Sequence, residues 1–268
     1  MTRDDSSIAS RYAPLRGFTL AVTCAIALAS YGCQTAPPQI RQTGETQAGP
    51  SPLREPSSEA ERFVIDPDDS ELRLLVYREG SLAELGHNHV IVGNPRGEIF
   101  LASTSAESGF RLCVAVESFR VDEQEARGQE GADFAAPVPQ AARTATRKNM
   151  LGEQLLNGSL YPAIEMLSER LSGPLWNPDI TARIDLGGVN RLLTFPAAVV
   201  RSNGQVVVIA RSSVLQTDFG MEPFSVLGGA LRVKDRIEVR VRIVARQAGT
   251  ALGDHPRFAP CPGAERGA

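Results

Sequence analysis

A period of two is the strongest restriction on what this chain can fold into. From Glu71 onward, short runs place an apolar side chain at every second residue, the repeat of a strand with one buried face. Leu72, Leu74 and Val76 alternate with Glu71 and Arg73, and Leu112, Val114 and Val116 with Arg111 and Glu117. Ile180, Ala182, Ile184 and Leu186 are set against Thr181, Arg183 and Asp185. The longest run, Ile237, Val239, Val241, Ile243 and Ala245, is set against Glu238, Arg240, Arg242 and Arg246. Such one-sided strands belong to antiparallel sheets, because parallel sheets are covered on both faces and read as continuous apolar runs. Gly187-Gly188, Ser202-Asn203-Gly204 and Gly93-Asn94-Pro95 fall beside these runs and carry the residues that hairpin turns need. Many strands at short spacing predict an all-β domain, a barrel or a sandwich.

One stretch breaks the period. Over residues 139–156, Ala141, Ala142, Ala145, Met150, Leu151, Leu155 and Leu156 form the apolar stripe of a helix that Asn157-Gly158 is expected to end. Residues 123–138 before it are rich in Gly, Ala and acids and read as a loop. At the start of the chain, Arg3, Arg11 and Arg16 precede an apolar run over residues 17–29, too short for a permanent span and right for a secretory leader. Two ways of processing it compete. Ala27-Leu28-Ala29 fits cleavage before Ser30, whereas Ser30-Tyr31-Gly32-Cys33 resembles a bacterial lipobox, in which the Cys33 thiol is acylated and becomes the N-terminus. The Pro, Gly, Ser, Thr and Gln of residues 34–60 leave almost nothing apolar to bury and read as a disordered tether. At ~3.1 Å per residue it would reach on the order of 80 Å from an anchor. The expected organisation is a leader (1–33), a tether (34–60), a β-domain (61–247) and an irregular tail (248–268). The protein is expected in the periplasm, lipid-anchored through Cys33, with Gln34 after the Cys favouring the outer membrane by resemblance.

Charge and residue counts narrow the chemistry. With 28 basic against 31 acidic side chains, the chain lacks the cationic excess that nucleic acid demands. Three His and four Cys permit only a small constellation. His87-Asn88-His89 puts two imidazoles on one face of a strand, a geometry that suits metal ligands. Glu98 lies too far along and His255 falls in the tail, so no metal ligand is assigned. His87, Asn88 and His89 are read instead as structural or ligand-facing residues at a barrel mouth. Asp218-Phe219-Gly220 occurs without the Gly-rich loop, strand Lys and catalytic loop of a kinase. It reads as a turn in which Asp218 accepts backbone N–H bonds and Phe219 packs inward. No nucleophile elbow, HExxH helix or phosphate loop occurs, so no catalytic residue is assigned. Tyr161-Pro162 reads as the start of a strand, from which the phenol can reach a ligand head group. Tyr161 and Phe219 complete the candidate ligand-binding set. The Arg236, Arg240, Arg242 and Arg246 stripe is either a solvated face or a surface for anionic lipid head groups. In an oxidising compartment Cys113 can pair with Cys261; the alternative is a buried apolar Cys113.

Several stretches, in order, resemble the YceI-like family. Residues 65–70 (Ile-Asp-Pro-Asp-Asp-Ser) resemble its opening turn, and Met150-Leu151, Leu155-Leu156 and Tyr161-Pro162-Ala163-Ile164 its helix and the start of a central strand. Residues 186–191 (Leu-Gly-Gly-Val-Asn-Arg) resemble its Gly-Val hairpin, Thr217-Asp218-Phe219-Gly220 its Asp-Phe-Gly turn, and residues 233–238 (Val-Lys-Asp-Arg-Ile-Glu) the lead into its last strand. Some members carry a similar Gly-His-Asx-His stretch. The loop over 123–138 is expanded, and Leu155-Leu156 replace aromatic residues common in the family. The resemblance implies a lipocalin-like antiparallel barrel of about eight strands with a helix in a long connection. It also implies a non-enzymatic carrier with no cofactor, whose ligand is an apolar polyisoprenoid or isoprenoid quinone. A dry interior suits such a chain, at ~0.8 kcal/mol per buried methylene. Two other readings stay open: a metal-dependent enzyme using His87 and His89, and a structural barrel with a filled interior, since alternation does not distinguish a cavity from a packed core. Acyl groups on Cys33 and globomycin-sensitive processing are the expected outcome of mass analysis of the mature protein; a mature N-terminus at Ser30 contradicts the anchor.

Overall fold

The computed structural model describes residues 59–248. The leader, Cys33, nearly all of the tether and the tail beyond residue 248, with Cys261, lie outside the described residues. In chain order the elements are β1 (Glu61–Ile65), β2 (Glu71–Val76), β3 (Arg78–Glu79), β4 (His89–Gly93), β5 (Arg96–Leu101), β6 (Gly109–Ala115) and β7 (Arg120–Val121). Two helices follow, α1 (Gln124–Gly128) and α2 (Gln140–Leu151). The second half is β8 (Ala163–Ser172), β9 (Asp179–Leu186), β10 (Val189–Ser202), β11 (Gln205–Leu215), β12 (Ser225–Val226), β13 (Leu231–Val233) and β14 (Arg236–Gln247).

The main sheet is a closed antiparallel barrel of eight strand paths. β14 runs along β11 on one edge, and on the other it pairs with β1 near its C-terminus and with β2 further back. β1 and β2 are therefore one path broken at residues 66–70, where the Val244 carbonyl accepts Asp66 N–H and Ser70 Oγ fills the gap in the ladder. β4–β5 and β6–β7 are broken paths of the same kind, and the order continues through β8, β9, β10 and β11 back to β14. The Gly93-Asn94-Pro95 segment corrects the hairpin expected there: it is a bend within the β4–β5 path. Asn94 does not turn the chain back because its Nδ2 is committed to the carbonyls of Pro67 and Ser70 in the neighbouring break. The other two turns are hairpins. Gly187-Gly188 and Asn203-Gly204 have positive φ at both central residues, the geometry that matches the twist of paired strands.

The two ends of the barrel differ. One carries the long connections, 77–88, 122–162 and 216–235; apart from the broken path starts, the other carries the short turns 102–108, 173–178 and 203–204. At the long-connection end α2 delivers Met150 and Leu151 onto Ile91, Val114, Val116 and Phe119. The helix stops at Gly152, five residues before the expected Asn157-Gly158. Leu156 still reaches the core because the chain folds back on itself, its N–H bonding the Met150 carbonyl and Gly158 N–H the Leu151 carbonyl.

Residues 123–138 are not a plain loop. α1 and a short 3-10 turn at Ala132–Phe134 lie on the outside of β2 and β4, burying Leu75, Val90 and Val92 beneath Ala126 and Phe134. Arg73, expected on a wet face, is buried here and bonds Glu71, Gln129 and Glu130. The Glu130 carboxylate is 3% exposed and also accepts Arg240, so one buried anion ties the covering segment to β2 and β14. The rest of the Arg stripe is engaged too: Arg246 pairs with Asp66 and Asp69, Arg242 donates to the Asp69 carbonyl and Arg236 to Ser213 Oγ. Cys113 is buried and disulfide-bonded. The described residues hold no other cysteine, so its partner lies outside them.

Removing one partner of a buried ion pair leaves an uncompensated charge, at a cost of about 3–5 kcal/mol. Glu130→Ala is expected to lower unfolding free energy by about 3 kcal/mol, at the lower end because Arg240 is partly solvated. Denaturant titration checks this; a change below about 0.5 kcal/mol, typical of a surface site, contradicts it.

Candidate functional site: an apolar cavity and a buried histidine network

The inward side chains of the alternating strands do not fill the barrel evenly. Toward the long-connection end the interior is packed, with Leu74 and Val114 under α2, and with Phe219 against Ile184 and Leu193. Toward the short-turn end a cavity of about 70 Å³ remains. Its mid-barrel wall is Leu112, Met166, Phe195 and Val241, and its far wall is Leu101, Gly109, Leu171, Pro178 and Val199 at the strand ends. Val208 and Ala210 of β11 close one side. All the surface facing the space is apolar. A water needs about 10–15 Å³ and two to four polar partners, so the cavity has room for water and nothing to hold it. Phe63, fully buried among Ile65, Ile99 and Val206, fills the opposite side of the same end. The barrel is thus packed at the long-connection end and keeps a small dry cavity toward the other.

A second arrangement lies at the long-connection end. His89 shares a strand face with Ile91, and its Nδ1 is 2.6 Å from Asp122 Oδ2. Asp122 follows β7 with φ +55°, and this backbone turns a completely buried carboxylate back onto β4. Its Oδ1 accepts Val90 N–H at 2.9 Å and Arg127 Nη1 at 2.6 Å. Arg127, from α1, also donates to the carbonyls of Asn88 and Ala136. Burial pushes the Asp122 carboxyl up, and the His89 imidazole, Val90 N–H and Arg127 guanidinium outweigh it, holding the group below its ordinary 3.8. Burial, reinforced by His89, pushes the His87 imidazole below its ordinary 6.5. The two rings stand edge to face with centroids 6.4 Å apart. Among the described residues, no three His, Cys, Asp or Glu side chains are grouped to hold a metal ion.

The candidate ligand-binding residues all fall at this end. Asn88 is a strut, its Oδ1 accepting Arg78 N–H and its Nδ2 donating to the Asp133 carbonyl. Tyr161 lies flat on the β9–β10 turn, where a Cβ at Gly188 would sit 2.7 Å from its ring. Phe219 is buried in the packed interior, and the carboxylate accepting Thr217 N–H in its turn is that of Asp235. His87, Asn88, His89, Tyr161 and Phe219 are thus gathered at one end, and none lines the cavity. Asp122 and Arg127 were not singled out from the sequence. They lie 33 and 38 positions beyond His89 in stretches without period, and only the fold brings them to it.

No protein-family model matches the chain, and no curated protein matches it. Solved structures similar to it include Burkholderia cenocepacia BcnA, at 11% identity and a TM-score of 0.48, covering 67% of this chain and 98% of that one. A polyisoprenoid binding domain from Saccharophagus degradans, implicated in plant cell wall breakdown, is similar at 12% and 0.48, covering 69% and 98%. A Campylobacter jejuni YceI protein is similar at 8% and 0.43, covering 58% and 82%. YceI proteins are therefore among the structures this chain is similar to. The barrel itself is established by its own strand pairing.

The lowered His87 value has a definite sign. The unfolded chain takes up this proton more readily than the folded one, so the stabilisation is complete above about 6.5 and is lost as pH falls through the folded value. Stability is expected to decline from pH 7 to pH 5, and His87→Gln to flatten that decline. Urea midpoints across this range check it; an unchanged slope in the variant contradicts the assignment.

Proposed function

We propose that this chain is a YceI-like, non-enzymatic carrier that holds an apolar isoprenoid-like lipid or quinone in its barrel, facing the periplasm and tethered through an acylated Cys33. The carrying observation is the dry cavity between Met166 and the short-turn end, lined without a polar surface. Burying a methylene there contributes ~0.8 kcal/mol, and the space as it stands takes no more than about one isoprene unit, so a longer chain needs the wall to open. A volume of about 70 Å³ fits the end of a prenyl chain and not a ring, so a quinone would be held by its tail. Met166, unbranched and pliable, is the wall residue best able to yield to a longer one. The sequence resemblance supports the same reading. His87, His89 and Tyr161 lie at the far end, beyond the packed interior and away from this cavity. A metal-dependent enzyme has no comparable support: among the described residues the carboxylate beside His89 is that of Asp122, and it is already committed to Val90 and Arg127.

Ala210 sits on the cavity wall and is nearly fully buried, so a larger side chain there takes the ligand's space. Native mass spectrometry of delipidated protein titrated with a polyprenyl lipid is expected to show one chain per barrel, and Ala210→Phe to weaken uptake at least tenfold, about 1.4 kcal/mol. No uptake by the unsubstituted barrel, or equal uptake by the variant, contradicts the proposal.

A further inference from the structure

β10 departs from the pattern of the other long strands. Its inward positions are apolar, as Leu193, Phe195, Ala197 and Val199 show, yet its outward positions Leu192, Thr194, Pro196, Ala198 and Val200 carry no charge. The next strand continues the surface, because Ala198 pairs with Ile209 and Val200 with Val207 in register. Val200 is 59% exposed and Ile209 48%. Where β10 outruns β9, the 173–178 turn takes over as its neighbour, Val199 N–H bonding the Trp176 carbonyl at 2.9 Å. That turn presents Leu175 and Trp176, the tryptophan 69% exposed. An apolar patch of this kind on an otherwise charged barrel marks a contact surface.

We propose that this face, centred on Trp176, Val200 and Ile209, docks on an anionic lipid bilayer. Two observations choose that occupant. First, the patch is continuous with the cavity: Pro178 and Val199 line the cavity while their neighbours Trp176 and Val200 form the patch. An apolar chain crossing between bilayer and cavity would leave lipid and meet Pro178 and Val199 with little exposure to water. Second, the patch is flanked by Arg170, Arg211 and Arg242, and none of these has a carboxylate partner among the described residues. Asp179, opposite Pro196, and Glu71, opposite Arg242 and paired with Arg73, lie on the same face and leave the flank net basic. Anionic head groups complement that flank, whereas a second copy joined about a two-fold axis would bring two such flanks together. A tryptophan with an apolar ring and one N–H is suited to the interface between acyl chains and head groups.

The proposal rests on the carrier reading for its purpose and not for its chemistry, and the test separates them. The exported chain carrying Cys33→Ser, with no acyl group, is mixed with phosphatidylglycerol–phosphatidylethanolamine vesicles or with phosphatidylcholine vesicles. Trp176 is the chain's single tryptophan, so its emission reports on the patch alone. The expected result is a blue shift on anionic vesicles. Co-sedimentation should fall at least tenfold in Trp176→Ser/Val200→Thr, and severalfold on anionic vesicles in Arg211→Gln/Arg242→Gln. Prenyl uptake from detergent, measured on the same variants, should be unchanged, since none of the four residues lines the cavity. No shift on anionic vesicles, or equal sedimentation of the variants, overturns the proposal. So does a concentration-dependent dimer that Trp176→Ser/Val200→Thr abolishes, which would assign the face to a second copy. Vesicle binding without prenyl uptake would remove the carrier reading and leave the docking surface standing.

Discussion

Everything in this molecule depends on β14 finding partners on both edges. It bonds β11 along its whole length, and on its other edge it accepts first β1 and then β2. That closure leaves only the two-residue β7 at an edge of the main sheet and converts an alternating sequence into an inside and an outside. The strands that close it are not straight. The first path breaks at 66–70 and the second at Asn94-Pro95, and Asn94 bonds across from one break to the other. The histidine network lies on the same broken paths, since β4 starts at His89 and β7 leads into Asp122 at one end.

The two ends then take different roles through packing. Long connections bring α2 and Phe219 over one end, the break between β6 and β7 adds Phe119, and their side chains fill it. Short turns bring little to the other, and an apolar space is left between Met166 and Pro178. A cavity in a well-packed protein costs stability, because its lining loses dispersion contacts. A ligand chain restores those contacts, which makes even a small unfilled space of about 70 Å³ a physical reason to bind something apolar. The polar network around Asp122 lies where packing is dense and its bonds are nearly all satisfied, as befits a buried charge cluster that fixes α1 against β4.

Much of the architecture was legible in the sequence because its signal is strict. Leu72, Leu74 and Val76, and Ile237 through Ala245, alternate because one face is dry, and both sets point inward. The turns at Gly187-Gly188 and Asn203-Gly204 were legible because two successive positive φ angles favour those residues. What escaped was non-local. Leu74-Leu75 and Val90-Ile91-Val92 break the alternation because α1 covers the outer face there, a mark of two-sided burial. Arg73 looked wet because its anion, Glu130, lies 57 positions away. Gly93-Asn94-Pro95 has turn composition, but Asn94 spends its side chain on a neighbouring strand. The His87-Asn88-His89 cluster was visible, and its committed partner Asp122 was not. No pattern along the chain could reveal that a small cavity remains toward one end and not the other, since inward residues at both ends are apolar.

The central claim is that the ligand lies at the short-turn end. Isotope-edited NMR on the barrel loaded with an unlabelled prenyl lipid, with methyl groups of Val208, Ala210, Val241 and Val114 assigned, tests it most directly. The account predicts intermolecular contacts from the lipid to Val208, Ala210 and Val241 and none to Val114. Contacts confined to Val114 and the His87–His89 end, or none at the cavity methyls, would contradict it.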